Sequence, residues 1–304
     1  MPSTIVVPTL EDYQPPVFQP KRSKTSISSK LLGALIPVVA CLYVGVVVLL
    51  PAVSVVAQAF AKGAGPFFEV LSQPDLVSAL KLTLLEAAIA VPANVIFGLA
   101  AAVAIARKKF RGKALLLSVI DLPFSISPVV VGLMLVLLYS NTHGLLAPLV
   151  EGLGWKIIFS WPGMALATII VTFPFMAREV IPTLEEVGWE QEEAAKTLGA
   201  NAWQVFWKVT LPTVRWAALY GLILTTTRAL GEFGAVAVVS GNIRGLTQTL
   251  PLFIEDAYKQ YNTEASFAAA VLLGSVAILS LFLKFLVEYL VDSDKERLAK
   301  TGEP

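Results

Sequence analysis

Six apolar runs dominate this chain, at approximately 32–60, 78–106, 114–140, 161–177, 213–240 and 265–291. A helix needs about 17 to 25 apolar residues to cross a hydrocarbon core of about 30 Å, so every run is long enough to span a bilayer. Several of the runs contain proline (Pro37, Pro51, Pro92, Pro123, Pro128 and Pro174 among them). Proline at membrane depth is tolerated where neighbouring helices re-satisfy the freed carbonyls, which predicts kinked helices packed against one another. Composition agrees: 56% of the 304 residues are hydrophobic and 15% charged, an imbalance foreign to a water-soluble domain.

Charge placement orients the spans. Lys and Arg gather in the N-terminal tail (Lys21, Arg22, Lys24, Lys30), after the second run (Arg107, Lys108, Lys109, Arg111, Lys113), after the fourth run, and at the C-terminal end (Lys295, Arg297, Lys300). The positive-inside bias predicts that these regions are cytoplasmic, so both termini face the cytoplasm and 61–77, 141–160 and 241–264 form outer loops. A net charge of only +1 argues against a nucleic-acid partner. The single cysteine, Cys41, permits no intrachain disulfide and reads as a packing residue of the first run. The single histidine, His143, falls in an outer loop without a ligand cluster, so neither a metal site nor a Ser/His/Asp set is expected.

Residues 1–30, rich in Pro, Ser and Thr, lack the short basic start and apolar centre of a cleavable signal and read as a disordered cytoplasmic tail. Residues 31–292 form the membrane domain, and 293–304 a second cytoplasmic tail. Two outer loops are apolar enough to carry short helices along the membrane surface, with Phe67, Phe68, Trp155 and Trp161 as interfacial aromatics.

The predicted cytoplasmic loop between the fourth and fifth runs, with its centre at about 185–212, stands apart in composition. "EEVGWEQEEAAKTLG" combines good helix formers with acidic residues near its start and Gly199 at a C-terminal cap position. "ANAWQVFWKVTLP" reads as a second short amphipathic helix, with Asn201 as N-cap, Pro212 leading into the fifth span, and Trp203, Phe206 and Trp207 packed beneath the loop's own helices. The pair presents Ala194 and Ala195, small enough for close approach, beside the charged Glu193.

The loop's spacing resembles a known pattern. "EAAKTLG", nine residues, then "VTLP" is similar to the E-A-A motif of the membrane subunits of bacterial ATP-binding-cassette importers, with Val209 where isoleucine is usual. "DLPFSISPVVVGL", "FSWPGMALATIIVTFPFMARE" and "TRALGEFGAVAVVSGNIRG" extend the resemblance over most of 78–290, to the sulfate and thiosulfate branch and its CysW-type permeases. The resemblance implies an all-α, six-span bundle of the type I importer fold, with Glu193, Ala194, Ala195 and Gly199 as the core of an ATPase-coupling loop. It also implies a sibling CysT-type permease, two copies of an ATP-binding subunit, and an extracytoplasmic sulfate- or thiosulfate-binding protein. ATP and Mg would be bound by the partner subunit, with no cofactor in this chain. The N-terminal tail, longer and richer in proline, departs from the family.

Arg228 and Glu232, four residues apart in the fifth run, share a helix face at membrane depth. They read either as an ion pair that permits burial, or as an oxyanion donor restrained by its carboxylate. Ser125 and Ser127 flank the "SPVVVG" turn, where Pro128 frees backbone groups toward a pathway, although helical serines commonly bond back to their own backbone. Glu86 is expected near a water-exposed end, and "GEFG" (231–234) as a close-packing segment. No G-x-x-x-x-G-K-[ST] occurs, so this chain is not the nucleotide-hydrolysing component and is not read as an enzyme. Alternatives are a molybdate or tungstate permease, an ion-coupled anion transporter, which would leave the loop idle, and a membrane scaffold, which would leave the charges at depth unexplained.

Overall fold

The computed structural model describes residues 27–140, 144–152 and 154–301, which are almost entirely helical and divide into two compact units with the boundary between Val53 and Ser54. His143 and most of the N-terminal tail lie outside the described residues. Helix α1 (Ile27–Val44) begins inside the stretch read as tail, and continues through a π-helical turn at Gly45–Leu49 into α2 (Leu50–Ala59). The stretch Pro37–Ala59 has a mean hydropathy of 2.6. Cys41 on α1 is exposed, which corrects the packing role expected of it.

The second unit is organised around two long helices, α4 (Pro74–Arg107) and α8 (Trp161–Val187). They lie side by side, joined by Asn94, whose side chain donates to Thr172 Oγ1 at 2.6 Å and to the Ile169 carbonyl at 3.2 Å. Such interhelical bonds hold helices together where no solvent contrast drives association. Of the most apolar window of α8, 61% is buried, which makes it the axis of the bundle.

Two of the six runs are bent. The third comprises α5 (Lys113–Ser125) and α6 (Pro128–Tyr139), meeting at 110°. Pro128, as the first residue of α6, cannot donate the bond that would continue α5, and its ring keeps Ser127 extended. The fifth run breaks at 49° between its long helix and α12 (Gly234–Ser240), at Gly231–Phe233, where the sequence had suggested one unbroken span. Among the described residues, four helices are long and apolar enough to cross a membrane singly, and up to six spans result if each bent pair counts as one.

Short helices do occur in the two stretches expected as apolar outer loops, as α3 (Ala64–Leu71) and α7 (Ala147–Gly152). Phe67 is not interfacial as expected: it is buried and stacked on Phe60 at 4.3 Å, whereas Phe68, Trp155 and Trp161 are exposed. At this end α13 (Leu250–Lys259) and the start of α14 (Thr263–Thr301) close over α3 and α4 through Phe67, Leu76, Leu250, Phe253 and Ala265. Arg244 reaches back to Asp256 there at 2.9 Å. Burial pushes the Asp256 carboxyl up, but the bonds from Arg244, Gln260 and Gln248 outweigh it and hold the group below the usual aspartate range. Helix α14 runs on through the region expected as a C-terminal tail.

Candidate functional site

At the opposite end of the bundle, α8 stops at Val187 because Gly188 turns the chain at φ 72°. Residues 185–187 thus belong to α8, and the loop helix is shorter than the sequence suggested: α9 spans Glu190–Thr197. Its acidic first turn (Glu190, Glu192, Glu193) and its Lys196 suit the two ends of the helix dipole. Gly199, at φ 87°, ends it as expected, its N–H meeting the Lys196 carbonyl at 2.9 Å while Ala200 N–H reaches Ala195 at 3.1 Å.

Asn201 and Gln204 then form a reciprocal capping box, each backbone N–H bonded to the other's side chain at 2.9 Å. This starts α10 (Ala202–Val205), but no separate second helix follows. A π-helical turn at Phe206–Thr210 joins α10 to α11 (Leu211–Leu230), so helix continues from Ala202 to Leu230. Pro212 does not interrupt it, because it follows directly on the π-helical turn, where the regular i→i−4 ladder is already broken and the Leu211 N–H bonds the Phe206 carbonyl.

The residues of the sequence motif sit on the outside. Glu193 and Ala194 are exposed, Ala195 is half-buried, and Leu198 is 89% exposed. Ala195, Leu198, Gly199, Gln204 and Lys208 rim an open notch of 440 Å³. Trp203 and Trp207 do not pack beneath the loop as expected: Trp203 is 69% exposed, and the two indoles meet edge to face at 5.5 Å. With Phe206 they occupy one face of the continuous helix and line, with Val95, Leu99 and Leu219, an apolar groove of 810 Å³ beside α4.

What fastens α9 to the bundle was not legible in the sequence. Glu192, one residue before the motif, is buried; its Oε1 accepts from Arg107 Nε at 3.0 Å and from the Thr210 hydroxyl at 2.9 Å. Arg107 also donates through Nη1 to the Leu184 carbonyl at 2.7 Å. The last residue of α4, the last turn of α8, α9 and the π-helical turn thus meet at one point, where the Arg107 and Glu192 side chains are 13% and 9% exposed. Removing one partner from a buried, hydrogen-bonded ion pair costs about 3–5 kcal/mol, so this contact outweighs any exposed pair in the loop. Nothing local in the sequence separates Glu192 from Glu190 and Glu193, because its partners lie 85 and 18 residues away.

The charges at membrane depth form a second constellation. Arg228 Nη2 pairs with Glu232 Oε2 at 2.8 Å, with the Glu232 side chain fully buried and that of Arg228 34% exposed. Glu232 Oε1 also accepts from the Ala235 N–H at 3.0 Å. One carboxylate therefore closes the ion pair and caps α12, which explains a break in the fifth run that contains no proline. Glu86 is buried, contrary to the expectation of a wet end, and its Oε1 has no hydrogen-bond partner among the described residues.

The bend between α5 and α6 lies against that between α11 and α12. A Cβ on Gly132 would lie 2.7 Å from the Ala235 carbonyl oxygen, and one on Gly234 would lie 3.0 Å from Pro128 Cβ. Ser127, exposed at the start of α6 with no side-chain cap bond, and the Arg228–Glu232 pair are thereby brought to the same contact between bends. The back-bonding expected of a helical serine does not arise for Ser127, because it stands outside the helix.

Residues 94–293 match the family described as "Binding-protein-dependent transport system inner membrane component". The sulfate transport system permease protein CysW of Synechococcus elongatus is 60% identical over 268 residues, covering 88% of this chain and 92% of its own length. The CysW protein of Escherichia coli K12 is 47% identical, covering 83% and 86%, and the CysT protein of the same organism is 39% identical, covering 79% and 87%. Among solved structures, a bacterial alginate ABC transporter in complex with an alginate-bound periplasmic protein matches with a TM-score of 0.69 at 16% identity, covering 86% of this chain and 93% of its own. That last likeness speaks to the fold alone, which is the one the sequence motifs implied. The chain belongs to the binding-protein-dependent transport system inner membrane components, the permeases of ATP-binding-cassette importers.

Proposed function

We propose that this chain is a permease subunit of an ATP-driven sulfate importer, and that α9 is the element through which a separate ATPase drives it. The observation that carries this reading is the outward face of α9: Glu193, Ala194 and Leu198 stand in solvent beside an open notch, at the end of a bundle otherwise built to face hydrocarbon. Small residues around a concavity, next to a carboxylate, suit a protruding and partly basic partner surface. Sulfate is the cargo named for CysW relatives 47–60% identical to this chain, and thiosulfate is its tetrahedral near-isostere.

The rest of the assembly follows from that assignment. A CysT-type sibling completes the pathway, two ATP-binding subunits hold ATP and Mg, and an extracytoplasmic binding protein delivers the anion. The α9 end faces the cytoplasm with both termini, in a bacterial inner membrane. The 34% of the Arg228 side chain left exposed offers guanidinium N–H groups to a passing oxyanion, and Glu232 lowers the field enough that a dianion is not trapped.

Reconstitution of this chain with its sibling, the ATPase and the binding protein in proteoliposomes tests the reading. Sulfate-loaded binding protein is expected to stimulate ATP hydrolysis several-fold and molybdate-loaded protein is not. Equal stimulation by molybdate overturns the cargo, and failure of the ATPase to co-purify overturns the role of α9.

A further inference from the structure

We infer that the Arg107–Glu192–Thr210 cluster is the joint that carries displacement of α9 into the membrane helices, with Glu192 its positioning residue. The inference rests on α9 being the docking element and adds the route by which its movement leaves the loop. Covalently, α9 is tied to α8 through Gly188 and Trp189, and to α10 through the Leu198–Ala200 turn. Neither connection reaches α4. The end of α4 is engaged instead by side chains: Arg107 holds Glu192 at 3.0 Å, and Lys109 sits over the Trp189 ring at 5.6 Å.

Three features make this cluster a joint and more than a surface contact. It is shielded, since Glu192 and Thr210 are both buried, so water does not compete for the bonds when the loop moves. It branches, since one carboxylate oxygen is shared between α4 and the turn leading into α11, while the same guanidinium holds the end of α8. It also sits at the end of the densest packing between these helices, where Ile105, Met176, Val180, Leu184 and Val214 form one buried cluster. A force on Glu192 therefore meets α4, α8 and the entry to α11 together. The side chain of Glu193, exposed on the same helix, bonds to none of them among the described residues, which separates the two adjacent acids into one that faces the bundle and one left open on the outer face.

Glu192→Gln keeps the shape and removes the charge, Thr210→Val keeps the shape and removes the hydroxyl, and Thr210→Ser restores it. Each is measured in the complete reconstituted complex for ATPase content, ATP hydrolysis, and sulfate taken up per ATP hydrolysed. The expected result is full ATPase content and continuing hydrolysis, with uptake per ATP reduced about tenfold in Glu192→Gln and about threefold in Thr210→Val, and restored in Thr210→Ser, within the range of ordinary coupling energies. Unchanged uptake per ATP in the first two variants overturns the joint. Loss of the ATPase from Glu192→Gln also overturns it, because the residue would then only shape the docking face. If Leu198→Cys, introduced alone into the otherwise unaltered complex, never crosslinks to the ATPase, the docking reading on which the joint depends is overturned instead.

Discussion

The turn after α9 and the contact between the two bent spans both depend on glycine, for opposite reasons. Gly199 has no foreign atom within 4 Å of where a Cβ would stand, yet its φ of 87° is one that residues with side chains avoid. Gly132 lies inside a regular helix, where its conformation is ordinary, but a Cβ there would be 2.7 Å from the Ala235 carbonyl oxygen. The first glycine shapes a surface and leaves it empty; the second lets two backbones touch. Under the proposed docking, the open space around Gly199 is what the partner fills. A filled contact belongs to the machinery that must keep its shape while that happens.

The largest effect is expected where the empty surface is filled. Gly199→Leu forces a branched side chain into the left-handed region, at about 1–2 kcal/mol, and projects it into the notch. That cost is too small to unfold the bundle, so the chain should remain in the membrane in normal amount while sulfate uptake falls about a hundredfold or more, as expected when a docking face is blocked. Radiolabelled uptake beside a membrane immunoblot checks this. Normal uptake with normal abundance would mean that nothing docks at the notch.

The same contrast explains what was readable in the sequence. The spans were legible because hydrocarbon imposes a length and an apolar composition, and the loop was legible because a mixed-charge insert with Glu193, Ala194, Ala195 and Gly199 at fixed offsets stands out among apolar runs. The Arg228–Glu232 pair was visible through its helical spacing, and the structure shows both charges meeting at 2.8 Å. Glu192 was hidden because its partners are distant in the chain and its neighbours have the same charge. The break at Gly231–Phe233 was hidden because a buried carboxylate, with no proline, holds the α12 terminus, an effect that only a fold can supply. The continuous helix from Ala202 to Leu230 was hidden behind Pro212, a breaker elsewhere but accommodated here directly after a π-helical turn.

An intermediate effect is expected at the charged bend, which shares features of both regions: Arg228 is partly open and Glu232 fully enclosed. Arg228→Gln removes the donor fork but leaves an amide able to bond Glu232, whose second oxygen keeps the Ala235 N–H. Assembly with the sibling and the ATPase should therefore survive, while sulfate flux falls about tenfold, the size of one lost charge-assisted contact. Flux and assembly measured on the same preparations separate the two readings of the pair. If the complex falls apart in proportion to the lost flux, Arg228 serves burial alone.

The smallest effect on transport, and the clearest on stability, is expected from Gly132→Ala. One added methyl must displace both the Ala235 backbone and Val238, whose Cβ would lie 2.9 Å away. Overpacking of this kind costs about 1–3 kcal/mol. Because α6 bears on α12, and Glu232 fixes the start of α12, the displacement would loosen the bend without touching the loop. Thermal unfolding in detergent should therefore move down by a few degrees, with uptake per folded molecule nearly unchanged, the reverse of the outcome at Gly199. A variant that kept its melting temperature and lost transport would place the moving contact at the bends, and the division between a surface left empty for a partner and a packed interior would have to be redrawn.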